Sequence, residues 1–174
     1  MSKKNDKVNA SRRNFLMGAV RRIRKDDAQS CGPIAASSGT ISLIREANDA
    51  YAAEDWDEAI RLYREYLKKE KDLDVRLRLG ETMYKAGRYI PARTEFRTVL
   101  RGRPKELRAM ILLGLTYARA EDLEKAAEAW REYFDPHNIP MQRELNLQIG
   151  LIDDGMAESP ESVARAVEAQ LDCL

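Results

Sequence analysis

Few residues in this chain are of a type and spacing that could carry covalent or metal chemistry. His137 is the one histidine, and it stands in D-P-H-N, a turn where solvation is the expected state. Cys31, in S-C-G-P on an expected loop, and Cys173 are the two cysteines and lie near opposite ends. There is no C-x-x-C and no His-Cys cluster, so neither a zinc nor an iron–sulfur site is expected. Asp153-Asp154 and the many glutamates fall on expected helix faces or ends. No Walker A, G-x-G-x-x-G, H-E-x-x-H or G-x-S-x-G run occurs, so the chain lacks the phosphate cradle, zinc pair and nucleophile elbow those motifs supply. Catalysis needs a base, nucleophile or metal held in one place. The expectation is therefore no enzymatic activity, no cofactor and no metal. What remains is recognition chemistry, carried by tyrosines and tryptophans interspersed with arginines, the types that interface hot spots favour.

Those residues recur with a fixed rhythm. A-N-D-A-Y-A-A-E-D-W-D-E-A-I-R-L-Y spans Ala47 to Tyr63, G-E-T-M-Y-K-A-G-R-Y-I-P-A-R-T-E-F spans Gly80 to Phe96, and G-L-T-Y-A-R-A-E-D-L-E-K-A-A-E-A-W spans Gly114 to Trp130. Corresponding positions are 33 and then 34 residues apart. Such a period marks stacked supersecondary units, each too small to bury its apolar face alone. Within each copy, Ala47, Gly80 and Gly114 are small where a second helix must come close, and Ala59, Ala92 and Ala126 are expected to pack into that gap. Trp56, Tyr89 and Leu123 should open the second helices, with Tyr63, Phe96 and Trp130 seven residues on along the same apolar stripe. Gly87-Arg88, Arg103-Pro104 and Asp135-Pro136 supply turn chemistry.

The pattern resembles the tetratricopeptide repeat, a helix-turn-helix unit of about 34 residues. The resemblance covers residues 40 to about 138. It departs from the family pattern at Ala47, at Glu46, and at Glu54 and Glu121, which stand at turn positions where glycine is usual. It implies an all-α fold, a right-handed α-solenoid of three repeats closed by a C-terminal capping helix pair. The expected organisation is a basic arm and linker over 1–39, three repeats over 40–138, and a degenerate repeat or cap over 139–174. In the last part, Leu145, Ile149 and Ile152 have helical spacing, and Ser159-Pro160-Glu161 gives an N-cap followed by proline at the first helical position.

In this family the first helices of successive repeats line a concave groove. The resemblance therefore implies a protein-binding scaffold whose groove residues include Arg45, Asn48 and Tyr51, then Arg78, Glu81, Tyr84 and Lys85, then Arg108, Leu112 and Arg119. Ile44, Leu77, Ile111 and Leu115 fall on the same faces and are shared with the core between repeats. Some relatives clamp a terminal carboxylate with lysine and asparagine. Asn48 fits that clamp and Arg108 stands in for another member, but Ile44 and Arg78 depart from it. The expected partner is a protein or peptide with an extended or helical stretch of apolar and acidic groups.

Charge divides the chain. The formal net charge is +1, yet residues 1–25 hold nine Lys and Arg against one Asp, leaving 21 basic and 28 acidic residues in the rest. A basic arm on an acidic repeat domain is unlike a nucleic-acid-binding domain, which carries its positive charge on the folded part. Ser11-Arg12-Arg13-Asn14-Phe15-Leu16-Met17 resembles the twin-arginine export signal, with Arg12 and Arg13 as the pair and Phe15 and Leu16 following. The apolar stretch is short and is interrupted by Arg21, Arg22, Arg24 and Lys25, whereas an export core needs about 7–15 apolar residues. As a basic amphipathic helix, this arm suits docking to a partner or to an anionic membrane surface. The expectation is a cytoplasmic protein with peripheral membrane contact through the arm. The alternative is an accessory or assembly factor of a membrane-associated or exported redox complex, targeted by the arm and periplasmic by twin-arginine export.

Overall fold

A computed structural model describes residues 38–171, and every regular element among them is an α-helix. The order is α1 (Ser38–Ala52), α2 (Trp56–Lys69), α3 (Leu73–Lys85), α4 (Tyr89–Gly102), α5 (Leu107–Arg119), α6 (Leu123–Arg131), α7 (Ile139–Asp153) and α8 (Pro160–Leu171). Trp56, Tyr89 and Leu123 each open a second helix, as the repeat pattern requires. Most of the starts have a local cause. Asp55 accepts from the Glu58 N–H ahead of α2, Asp72 from Asp74 and Val75 ahead of α3, Asp122 from Lys125 ahead of α6, and Asn138 from Met141 ahead of α7. Ser159 caps α8 by accepting from Ser162, with Pro160 as the first helical residue. Caps of this kind contribute about 1 kcal/mol each.

Gly87 takes φ +72° in the turn between α3 and α4, and Glu54 and Glu121 take φ 58° and 62° in the turns of the other two pairs. All three pairs use the same left-handed turn. The two glutamates adopt it at a cost of about 1–2 kcal/mol each relative to glycine, so the missing glycines leave the turn geometry unchanged.

Each first helix packs on its own second helix, and each second helix on the next first helix; α3 also meets α5 directly. The first helices α1, α3 and α5 thus line one face, and α2, α4 and α6 back it. Tyr63, Phe96 and Trp130 are fully buried between the layers. These rings, rather than the small residues expected there, fill the space beside the glycines. A Cβ built on Gly80 would stand 2.7 Å from Cε1 of Phe96, and one on Gly114 would overlap the Trp130 ring. Ala59, Ala92 and Ala126 are buried as well, but the close approach of the helices is set by an aromatic ring lying on bare backbone. Helix α7 continues the array against α6, whereas α8 packs on both α7 and α5. Neither α4 nor α6 makes a comparable contact with the first helix of the pair before it.

Candidate docking face

The face lined by α1, α3 and α5 carries a compact aromatic and cationic cluster at its N-terminal end. Tyr51, in the last turn of α1, meets Trp56, the first residue of α2, edge to face at 5.5 Å between ring centroids. The three-residue turn capped by Asp55 brings the two rings together. From α3, the Arg78 guanidinium lies 5.0 Å from the centre of the Tyr51 ring, and the Lys85 ammonium lies 5.3 Å from Tyr51 and 5.5 Å from Trp56. A cation over an aromatic face gains about 0.5–1 kcal/mol at an exposed site. Arg78 and Lys85 are seven residues apart, so both project from one side of α3. Trp56 was assigned on sequence grounds only to opening a helix; its place in the cluster depends on the turn folding it back beside Tyr51.

Across the middle of the face, Glu81 joins three helices. Its side chain is 8 % exposed and receives Arg108 of α5 at 2.6 Å and the Tyr51 hydroxyl of α1 at 3.3 Å. At the far end, Tyr84 of α3 and Arg119 of α5 both donate to Glu168 of α8, with Arg119 Nη2 at 2.5 Å from Oε2 and Nε at 3.1 Å from Oε1. Asn48 is exposed but is used internally, accepting from the buried Tyr63 hydroxyl at 2.8 Å.

The ten expected groove residues therefore divide. Arg45, Arg78, Lys85 and Arg108 are exposed, and Tyr51 is partly so. Glu81 is buried as the partner of Arg108, so it offers little surface. Leu112 is a correction: at 1 % exposed it lies in the core, because α5 is covered by α3, α4, α6 and α8 and its middle ten residues, Ala109 to Ala118, are all buried. Tyr84 and Arg119 are occupied by the chain's own α8. Sequence spacing had no way to reveal Glu168, which lies 49 residues beyond Arg119. The arm residues Arg12, Arg13, Phe15 and Leu16 lie outside the described residues, as do Cys31 and Cys173.

Several tyrosines are held as neutral phenols. Burial pushes Tyr63 up to about 12. Burial also raises Tyr84, with the Glu168 carboxylate adding to it, and raises Tyr66 and Tyr133, helped by Asp72 and Asp135 respectively. A folded value above the unfolded one of about 10 stabilises the fold below that pH, and the contribution is lost as pH rises through the folded values. An alkaline titration followed by phenolate absorbance should show these four rings ionising late, in step with loss of helical circular dichroism. Replacing Tyr84 with Phe should remove part of the late step. Complete ionisation at the ordinary tyrosine pH with the helices intact would contradict the burial described.

Among the described residues no three His, Cys, Asp or Glu side chains are grouped to hold a metal ion, and no helix is long and apolar enough to cross a membrane. A family model described as Tetratricopeptide repeat matches residues 44–90 and 84–138, which together span α1 to the start of α7 less a few terminal residues. No curated protein matches the chain.

Proposed function

The chain belongs to the tetratricopeptide repeat family, and from this premise we propose that the face formed by α1, α3 and α5 docks an acidic segment of a partner protein. Repeats of this kind build protein–protein interaction scaffolds. One observation carries the choice of an acidic partner. Among the described residues, Arg45, Arg78 and Lys85 have no carboxylate within ion-pair distance, so this face carries positive charge that no neighbouring acid neutralises. Two of these cations lie over Tyr51 and Trp56. Rings keep a cation in place without neutralising it, so its charge stays available to a carboxylate. An acidic residue reaching Arg78 or Lys85 would gain a charge-assisted hydrogen bond, while its apolar neighbours would cover the exposed part of the Tyr51–Trp56 pair.

Capture on the immobilised full-length chain from the native source, followed by mass spectrometry, identifies the partner; calorimetry then tests the face. The double variant Arg78→Glu, Lys85→Glu should weaken binding by about tenfold or more, since like charges facing each other cost several kcal/mol. Added salt should weaken the wild-type complex, because exposed pairs are screened. Both positions are exposed and form no ion pair among the described residues, so the helical signal should be unchanged. Undiminished affinity in a folded double variant would place the docking site on another surface.

A further inference from the structure

Glu168 is held in the way a bound ligand's carboxylate would be. Arg119 grips it with two nitrogens and Tyr84 donates its hydroxyl. A planar guanidinium fork matched to a carboxylate is the stronger, more directional form of ion pair. The repeats show why the carboxylate comes from outside the array. At the preceding junction, Tyr51 of α1 donates to Glu81 of the next first helix, α3, and Arg108 of α5 closes the set. Tyr84 is the counterpart of Tyr51 one repeat later. The counterpart of Glu81 in α5, however, is Leu115, which is fully buried. No carboxylate arrives from α5, and α8 supplies it instead.

Helix α8 also has the character of an occupant rather than of a further repeat. It lies on α5, the first helix of the preceding pair, whereas α4 and α6 make no comparable contact with α1 and α3, the first helices of the pairs before theirs. Its fully buried residues are Val163, Ala164 and Val167, small side chains compared with the Tyr63, Phe96 and Trp130 that lock the other pairs. An open cleft of about 480 Å³ separates its start, Ser159-Pro160, from Tyr89, Ala118 and Arg119. The helix follows a short segment that turns at Gly155 with φ +65°, where the Gly155 N–H donates to the Ile152 carbonyl and closes α7. Apolar residues at 163, 164 and 167 followed by a glutamate make it an acidic amphipathic helix, the chemistry the open cations of the face call for.

We infer that Tyr84 and Arg119 form a carboxylate-receiving site for an acidic amphipathic helix of the partner, and that α8 holds this site closed until that helix displaces it. The inference rests on the docking role of the α1–α3–α5 face but concerns its opposite end. Partner binding and α8 release are then linked, because the apparent affinity is the intrinsic one reduced by the fraction of molecules in which α8 is open.

The probe is a fluorescent peptide of residues 157–171, titrated into the full-length chain by anisotropy. The wild-type chain should bind it weakly, since its own α8 competes at the high effective concentration of a tethered segment. A chain carrying Glu168→Ala should bind the same peptide at least about tenfold more tightly. Adding Arg119→Ala to that chain, or replacing glutamate 168 by alanine in the peptide, should abolish the gain. Hydrogen exchange on the wild-type chain needs no variant: α8 amides should exchange well before those of α5 and α6. Absence of a gain in the folded Glu168→Ala chain would overturn the inference, as would α8 amides exchanging only with α5 and α6. These readouts use no partner and no charge reversal at Arg78 or Lys85. An overturned α8 result beside a weakened Arg78→Glu, Lys85→Glu complex would leave the docking face standing, and the converse result would remove the docking face alone.

Discussion

Replacing Gly114 with leucine should lower the stability of the fold by roughly 3 kcal/mol or more, and alanine at the same place should already destabilise it. An alanine in place of glycine inside a helix normally stabilises by about 0.5–1 kcal/mol, because it restricts the unfolded chain. Here the sign reverses. The three atoms nearest to a Cβ on Gly114 all belong to Trp130, and even the third, Cδ1, is at 2.6 Å, where something must shift. The indole cannot easily retreat, since it is 1 % exposed and its Nε1 donates to the Ile111 carbonyl at 3.1 Å. Overpacking costs about 1–3 kcal/mol, and breaking the indole hydrogen bond leaves a buried donor worth about another 1–3 kcal/mol. Gly150 supplies the control: it lies inside α7 and a Cβ there meets nothing within 4 Å, so Gly150→Ala should stabilise. Thermal and denaturant melts of the three variants provide the test. If Gly114→Ala and Gly150→Ala shift stability in the same direction, the packing of Trp130 on bare backbone described above is wrong.

The same contact marks how far the sequence could be read. Helix starts at Trp56, Tyr89 and Leu123 were legible because a repeat presents each decision three times, and the cap at Ser159 was legible because it is local; the caps Asp55, Asp72 and Asp122 were not singled out. The partner of each glycine was not legible in detail. Helical spacing places both Ala126 and Trp130 on the inward side of α6, and only the packed structure shows the ring, rather than the methyl, lying on Gly114. Exposure was legible for Arg45, Arg78 and Lys85, whose side of the helix follows from counting. That of Leu112 was not, because the middle of α5, Ala109 to Ala118, is enclosed on every side: where neighbours cover a stretch of helix all round, spacing no longer separates core from surface. Glu168 was beyond reach for a different reason. Its pairing with Tyr84 and Arg119 depends on where α8 returns across the array, and the period of the first three copies carries no information about that.

Arg108→Glu shows how burial changes an expectation drawn from charge alone. As a groove cation, Arg108 should tolerate reversal and simply lose an acidic partner. In the structure its main role is internal: the Glu81 side chain, 8 % exposed, is held by Arg108 at 2.6 Å and, among the described residues, by the Tyr51 hydroxyl besides, at 3.3 Å. Reversal would leave that carboxylate facing a second one. Losing the charged partner of a buried group costs about 1–3 kcal/mol, or 3–5 where both members are fully buried. Arg108 is 45 % exposed, so water moderates the loss and the lower range applies. The midpoint of denaturation should fall while its denaturant dependence stays unchanged. The rescue follows from the repeat itself. Leu115 occupies in α5 the place that Glu81 occupies in α3 and is fully buried there, so the double variant Glu81→Leu, Arg108→Met should recover most of the stability that Arg108→Glu loses. Replacing a buried pair with apolar residues of similar size is often neutral. A double-mutant cycle over Glu81 and Arg108 measures the coupling. If Arg108→Glu melts like the wild type, the carboxylate is not held by this pair, and Arg108 returns to the set of freely available groove cations.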